Sequence, residues 1–413
     1  MKPKECEKTQ LRKIVTIEKG KPPAKQPFFE QNAELYLTPE YLRGRNLAEP
    51  VLPGSNAVRV KDGDTILLWD GSNAGEFFRA REGVLASTMV RIWHDDTYDN
   101  QYFYYAVKNW ELFLKGQTSG SGIPHVDKEI LGNIEILKYS KPEQTKIAKI
   151  LSTVDEAIEQ IEALINKQQR IKTGLMQELL TRGIDEYGNI RSEQTHKFKD
   201  SPLGRIPVEW DVIPLGDLIE AIDPQPDHRT PQEVSGGIPY IGVSNFNNDG
   251  SIDFTNARKV SIKAFKKQQD SFSVSEGDFI FGKIGTIGMP SRLPTSTQYA
   301  LSANVILLKP RETPAFFYWW ISSPIVSKMV ELEIHSTSQA AFGIKKMRTL
   351  NLPRPNKDER EKIGKVLDTQ ELVKLNTKRD LYKLHSLKTA LMQDLLSGKK
   401  RVTPLINETE VIT

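Results

Sequence analysis

The chain has 413 residues, 38% of them hydrophobic and 27% charged, with a net charge of +4. That is a folded-protein composition too long for one ordinary core, so two domains, perhaps a third, are expected. The single cysteine, Cys6, excludes a disulfide framework and a thiolate zinc cluster. No apolar run approaches the roughly 20 residues of a bilayer span, and the charged opening MKPKECEKTQ is no secretory leader, so a cytoplasmic protein is expected. The mild positive charge permits nucleic-acid binding without arguing for it.

Residues 1–139 read as a first α/β domain. Gly63-Asp64-Thr65-Ile66-Leu67 is a turn entering a strand. Asp70-Gly71 to Gly75 is a second turn, and Arg79, Arg81 and Arg91 offer positive charge. Tyr102-Phe103-Tyr104 marks a short aromatic helix. The polar loop Gly116–Ile123 carries Gln117, Thr118, Ser119 and Ser121, side chains suited to phosphates and base edges. An ordinary exposed turn fits that loop equally well.

Residues 140–183 form the first of two long helices. Ser140 fits an N-cap, and Glu143 three residues on is expected to reach back to the cap's own N–H. Ile147, Leu151, Val154, Ile158, Ile161, Ile165 and Gln168 recur in steps of four and three, a coiled-coil seam. Gly183 suits a left-handed stop. Residues 184–209, rich in Gly, Pro and charge, read as an exposed connector.

Residues 210–355 read as a second domain. Gly277-Asp278-Phe279-Ile280-Phe281 and Phe316-Phe317-Tyr318 match the first domain's landmarks at an offset of 214. Gly282–Gly288 is turn-like, with Lys283 placed to reach a phosphate. The polar loop Ser336–Ile344 carries Ser338 and Gln339, and Lys345, Lys346 and Arg348 after it form a candidate phosphate clamp. Residues 356–398 form the second long helix, where Asn356 fits an N-cap and Glu359 is expected to reach back as Glu143 does, and 399–413 a tail. Leu175-Met176-Gln177-Glu178-Leu179-Leu180 and Leu391-Met392-Gln393-Asp394-Leu395-Leu396 coincide at an offset of 216, with no gap back to Ile147 and Ile363. The second seam turns polar at Gln370, Lys374 and Thr377. The two helices are expected to pack antiparallel, with solvent or a separate protein against that polar stretch as the alternative. Each helix of about 40 residues spans roughly 60 Å.

The connector Lys197–Pro207, Glu209-Trp210, Leu215-Gly216-Asp217-Leu218, the Pro142-Glu143-Gln144 opening and the two Leu-Met-Gln endings together resemble the specificity subunits of Type I restriction–modification systems. The resemblance runs from Leu11 to Val402. It implies an α+β chain with an internal pseudo-two-fold repeat: two α/β target-recognition domains, each followed by a long helix, the helices forming an antiparallel coiled coil. Each domain would read one half of a split site on double-stranded DNA, with the helices setting the spacing. The resemblance also implies a catalytically silent chain on which two methyltransferase subunits dock and restriction subunits assemble. Leu175, Met176, Leu179, Leu391, Met392 and Leu395 are the candidate partner-binding residues.

No cofactor or metal is expected. Neither Asp223-Pro224-Gln225-Pro226 nor Asn351–Pro355 fits the loop of an adenine methyltransferase. Gly282-Lys283-Ile284-Gly285 matches no nucleotide-binding spacing. The six histidines are scattered, and His94-Asp95-Asp96 reads as a solvated loop. The competing reading is a protein-interaction scaffold with two paralogous binding domains and no DNA.

Overall fold

Thr65–Leu68 is buried at all four positions, as befits a central strand covered on both faces. Side chains alternate across a strand, so Ile66 and Leu68 enter one apolar core and Leu67 another. Phe279–Gly282 repeats the arrangement, with Phe279 and Phe281 in one core and Ile280 in the other. These two strands are the centres of two compact units in a computed structural model. It describes residues 7–24, 32–47, 49–118, 123–225, 229–247, 251–285, 287–288, 290–335 and 341–407. One unit comprises residues 1–162 and 380–413, the other residues 163–379.

In the first unit an antiparallel sheet runs in the order Val15–Lys19, Met89–His94, Thr65–Leu68, Phe77–Arg79. A second sheet runs Glu49–Val51, Glu34–Leu37, Gly83–Leu85, Arg59–Val60, its middle pair parallel. Glu7–Gln10 pairs with Glu135–Lys138. The second unit has the corresponding sheets Ile219–Ile222, Val305–Pro310, Phe279–Gly282, Pro290–Arg292, and Lys259–Val260, Glu233–Ile241, Ala300–Leu301. There the parallel pair is Glu233–Ile241 with Ala300–Leu301, and Asp211–Pro214 pairs with Asn351–Arg354.

Register makes the duplication residue-specific. Val15 opposes His94 and Ile219 opposes Pro310, offsets of 204 and 216. In the first unit the Ser87 N–H donates to the Tyr36 hydroxyl at 3.3 Å; in the second the Ala303 N–H donates to Tyr240 at 3.1 Å. These pairs too lie 204 and 216 apart. The ten-residue step between those strands and the central one falls where the second unit carries the helix Ile262–Gln269.

The long helices span Lys141–Thr181 and Lys357–Leu396, and Gly183 and Gly398 have φ of 64° and 79° after them. The glutamates expected to close capping boxes do something else. Glu143, 5% exposed, accepts from Arg401 at 2.6 and 3.0 Å, from the Thr403 hydroxyl at 2.8 Å and from Ser140 at 2.9 Å. Glu359, also 5% exposed, accepts from the Ile184 N–H at 2.9 Å, from both Arg191 Nη atoms and from Trp210 Nε1 at 3.2 Å. A cation was available to each carboxylate, and a buried carboxylate is far better satisfied by a guanidinium than by one amide. Asn356 does cap, accepting from the Glu359 N–H at 2.9 Å.

The helix endings are core elements. Met176, Leu179 and Leu180 lie in the second unit's core with Trp210, Ile363 and Leu367. Leu395 and Leu396 lie in the first unit's core with Ile147 and Leu151. The polar stretch of the second helix is buried at Lys374 and half-buried at Gln370 and Thr377. In the second unit Gln168 donates to Thr377 at 3.0 Å, Lys374 to Gln169 at 3.1 Å and Lys172 to Glu371 at 2.8 Å, so Lys374 (7% exposed) does not face solvent. In the first unit Lys388 meets Asp155 at 2.6 Å. Asp155 and Glu371 are 216 apart, as are Lys172 and Lys388.

Candidate nucleic-acid interface

The turns and polar loops noted separately in the sequence come together in each unit. Asp70 forms a β-bridge with His125, and Ile284 forms one with Ala341. In the first unit the Gly71 N–H donates to the Pro124 carbonyl at 2.9 Å, and a Cβ on Gly75 would sit 3.0 Å from the Lys115 nitrogen. Gln117 follows as the exposed C-cap of the helix Glu111–Gly116, and the Thr118 hydroxyl donates to the Lys115 carbonyl at 3.3 Å. In the second unit the Phe342 N–H donates to the Lys283 carbonyl at 3.0 Å. Ser119, Ser121, Ser338 and Gln339 lie outside the described residues.

An ion pair braces each turn, with its charges exchanged. Lys19, ending one sheet strand, meets Asp70 at 2.8 Å; Asp223, just after the corresponding strand, meets Lys283 at 3.1 Å. Lys283, expected to reach a phosphate, is therefore committed to a carboxylate at half-buried positions. A new ligand would have to displace that partner.

Lys345, Lys346 and Arg348 share the helix Ile344–Thr349 directly after the second loop. They are not equally available. Lys345 is exposed and forms no ion pair among the described residues. Lys346 donates to the Glu333 carbonyl at 2.8 Å and lies 3.3 Å from its carboxylate, and Arg348 donates to the Ala221 carbonyl at 2.9 Å. Hence Lys345 is the free cation of the three.

Arg79 and Arg81 belong elsewhere. Arg79 opposes Thr65, at the opposite end of the central strand from Asp70. Both arginines are exposed and line a cleft of about 650 Å³ with Tyr41, Gly44, Asp62 and Glu159. Tyr41 and Gly44 were not singled out from the sequence, since only the fold brings them beside the arginines. Arg91, offered as comparable charge, is instead tied to Asp64 at 3.1 Å and Glu18 at 3.6 Å. Arg292, which opposes Phe279 as Arg79 opposes Thr65, is bound to Asp368 and stacks 4.3 Å from the Tyr318 ring centroid. The first unit thus keeps an open arginine where the second has neutralised its counterpart.

The six apolar residues expected at a partner surface divide by burial. Met176, Leu179 and Leu395 are 7, 3 and 5% exposed, while Leu175, Leu391 and Met392 are half-buried against the same cores. Among the described residues no group of three or more metal-ligating side chains is gathered, and no helix is long and apolar enough to cross a membrane.

The family described as "Type I restriction modification DNA specificity domain" matches residues 3–170 and again residues 207–383. The chain is 28% identical over 414 residues to the Type I restriction enzyme MjaVIII specificity subunit of Methanocaldococcus jannaschii, covering 98% of this chain and 95% of that one. It is 22% identical over 315 residues to the EcoBI specificity subunit of Escherichia coli, covering 73% and 65%. Its fold is similar to the crystal structure of an S subunit from M. genitalium, with a TM-score of 0.61 at 16% identity over 96% of this chain and 97% of that one. Two family matches, one on each side of the repeat, cover most of the residues, and the chain belongs to the Type I restriction–modification DNA specificity family.

Proposed function

We propose that this chain is the DNA sequence-specificity subunit of a Type I restriction–modification complex, with residues 1–139 and 210–355 as its target-recognition domains. The observation that carries the reading is a repeated frame with divergent polar surfaces. The sheets, braced turns and glutamate clamps recur in register, whereas the exposed cations do not. Two readers of different half-sites need a common frame and unlike contacts, so the target is an asymmetric, bipartite sequence. Gln117, Thr118 and Lys345 sit on the loop side of their units, and Arg79 with Arg81 would engage phosphate from the cleft.

The long helices pair as an antiparallel coiled coil in this reading. Support comes from the second unit, where Gln168 meets Thr377 and Lys172 meets Glu371, so rising residue numbers on one helix meet falling numbers on the other. Their length sets the spacer, and methyltransferase subunits dock along their exposed faces, with half-buried Leu175, Leu391 and Met392 at the margin. Restriction subunits join through that complex. The chain itself contributes recognition and no catalytic group.

The test is methylation profiling of DNA in cells carrying this chain with its methyltransferase partner, before and after residues 210–350 are exchanged for those of another family member. One half of a split motif should change. A change in both halves, or a continuous motif, would refute the modular reading.

A further inference from the structure

Two long helices that are near-copies face a problem of choice, because each could pair with its own kind from a second chain. Most of what holds them together does not tell like from unlike. Met176, Leu179 and Leu180 pack with Ile363 and Leu367 in the second unit's core. Their counterparts 216 residues away, Met392, Leu395 and Leu396 with Ile147 and Leu151, pack in the first unit's. The ion pair between helices recurs as Lys172 with Glu371 and Lys388 with Asp155. Each clamp sets a glutamate at one helix start against an arginine beyond the other helix's end. A first helix laid against a second copy's first helix would bring Lys172 to Asp155 and Arg191 to Glu143, and every one of these contacts would form again.

Beside the ion pair the two halves differ. In the second unit the buried Gln168 amide donates to the Thr377 hydroxyl at 3.0 Å, and buried Lys374 bonds Gln169 at 3.1 Å and Glu371 at 2.8 Å. The repeat puts Leu384 where Gln168 stands, Ile161 where Thr377 stands and Ile158 where Lys374 stands. Ile158 is buried, and Ile161 and Leu384 are half-buried. One layer is therefore polar in the second unit and apolar in the first. The polar version is the costlier one. The Gln168 side-chain oxygen is buried with no hydrogen-bond partner among the described residues, a desolvation penalty that a leucine does not incur. Since the first unit accepts an apolar layer at the same place, stability does not account for the polar one.

We propose that this layer selects the partner of each helix, so that the first helix pairs with the second helix of its own chain and not with another copy of itself. In the like pairing Gln168 meets Ile161 and Thr377 meets Leu384. A buried amide then loses its one partner and gains none, and two-fold symmetry counts the loss twice. A polar residue buried at one seam position fixes pairing in this way, at a cost in stability. Resting on the function proposed above, the consequence falls on the target. Like pairing would set two copies of one recognition domain on a helix pair and make the half-sites identical, whereas pairing within the chain keeps them different.

The test is the mass of the full chain by sedimentation after unfolding in urea and refolding at rising chain concentration. The wild type should return at 46.8 kDa. Gln168→Leu with Thr377→Ile and Lys374→Ile gives both units the apolar layer, and should form about tenfold more dimer, the factor that one relieved polar-on-apolar contact supplies. Leu384→Gln with Ile161→Thr and Ile158→Lys gives both units the polar layer instead. That variant should also form more dimer than the wild type, because amide then meets hydroxyl in the like pairing. Dimer in the apolar variant alone would reduce the effect to stickiness and overturn the selection. A dimeric wild type, or monomer in both variants, overturns it outright. Should a triple variant fail to refold, Gln168→Leu alone decides, since Thr377 keeps its bond to the Val373 carbonyl: more dimer supports the proposal and an unchanged mass refutes it. The masses are read without DNA or a methyltransferase, so failure here leaves the proposed function standing.

Discussion

Replacing Glu359 by alanine should destabilise the second unit far more than replacing Glu143 destabilises the first, although the two glutamates are repeat counterparts. Glu359 and Arg191 have side chains 5 and 10% exposed, and the carboxylate also holds Trp210 Nε1 and the Ile184 N–H. Alanine leaves a guanidinium, an indole N–H and an amide buried without their acceptor. Removing one member of a buried ion pair costs about 3–5 kcal/mol, chiefly because the other charge stays desolvated. For a unit of roughly 220 residues each kcal/mol lowers the melting temperature by about 2–4 °C, so a fall of about 6–20 °C is expected. In the first unit Arg401 is 29% exposed. It can turn to water once Glu143 is gone, and the loss should be nearer 1.5–3 kcal/mol, about what a hydrogen bond to a charged group contributes.

Thermal unfolding followed by tryptophan emission suits the comparison, because Trp69, Trp93 and Trp110 report on the first unit and Trp210, Trp319 and Trp320 on the second. Emission from the second set should shift at lower temperature in Glu359→Ala, with a smaller change in Glu143→Ala. Equal losses, or a larger loss from Glu143→Ala, would refute the argument that burial of the orphaned cation sets the cost.

Burial alone would raise the pKa of Glu143, but the bonds from Arg401, Thr403 and Ser140 outweigh it and hold the carboxyl below its ordinary 4.5. Its contribution to stability is therefore complete above that value and is lost as pH falls through the lower folded value. Glu143→Gln should flatten the acid limb of the first unit's stability below pH 4.5, and an unchanged limb in a urea titration would count against the clamp. Lys345→Ala should weaken binding to all DNA sequences and reduce the salt slope by about one, whereas Lys346→Ala, already tied to Glu333, should change it less; a slope unaltered in the first variant removes Lys345 from the interface. Asp368→Ser, restoring the residue found at Ser152, should release Arg292 and steepen the salt dependence if that face meets phosphate, with filter binding at two salt concentrations as the check.

What could be read from the sequence was whatever rests on local pattern. The strand entries at Thr65 and Phe279, the aromatic helices and the gapless helix match follow from periodicity and spacing, and the structure places them accordingly. The glutamates were legible as helix-start residues and misread in their bonding, because Arg191 and Arg401 are brought to them only by the chain beyond each helix end. The charged candidates fared similarly. Lys283, Lys346 and Arg348 look like free cations in one dimension, and lose that standing to Asp223, Glu333 and the Ala221 carbonyl. Nothing local distinguishes Lys345, which has no ion-pair partner among the described residues.

The exchanged ion pair explains why sequence similarity between the halves is so much weaker than structural similarity. Lys19 with Asp70, and Asp223 with Lys283, do the same work: they tie the end of an outer strand to the turn that follows the central strand. Either polarity suffices, because attraction between two groups depends on the product of their charges. Comparison of the halves position by position finds Lys19 against Asp223, and Asp70 against Ile284 with Lys283 against Trp69, and scores mismatches throughout. The tyrosine hydroxyls at 36 and 240 behave differently. A phenol accepting a backbone N–H has no charge-reversed equivalent, and there the residue type is retained. Divergence has been free wherever a contact could be satisfied by another pair of side chains, and restrained wherever the partner was the backbone. The exposed cations answer to neither constraint, so the residues that differ most between the halves are those open to a difference in target.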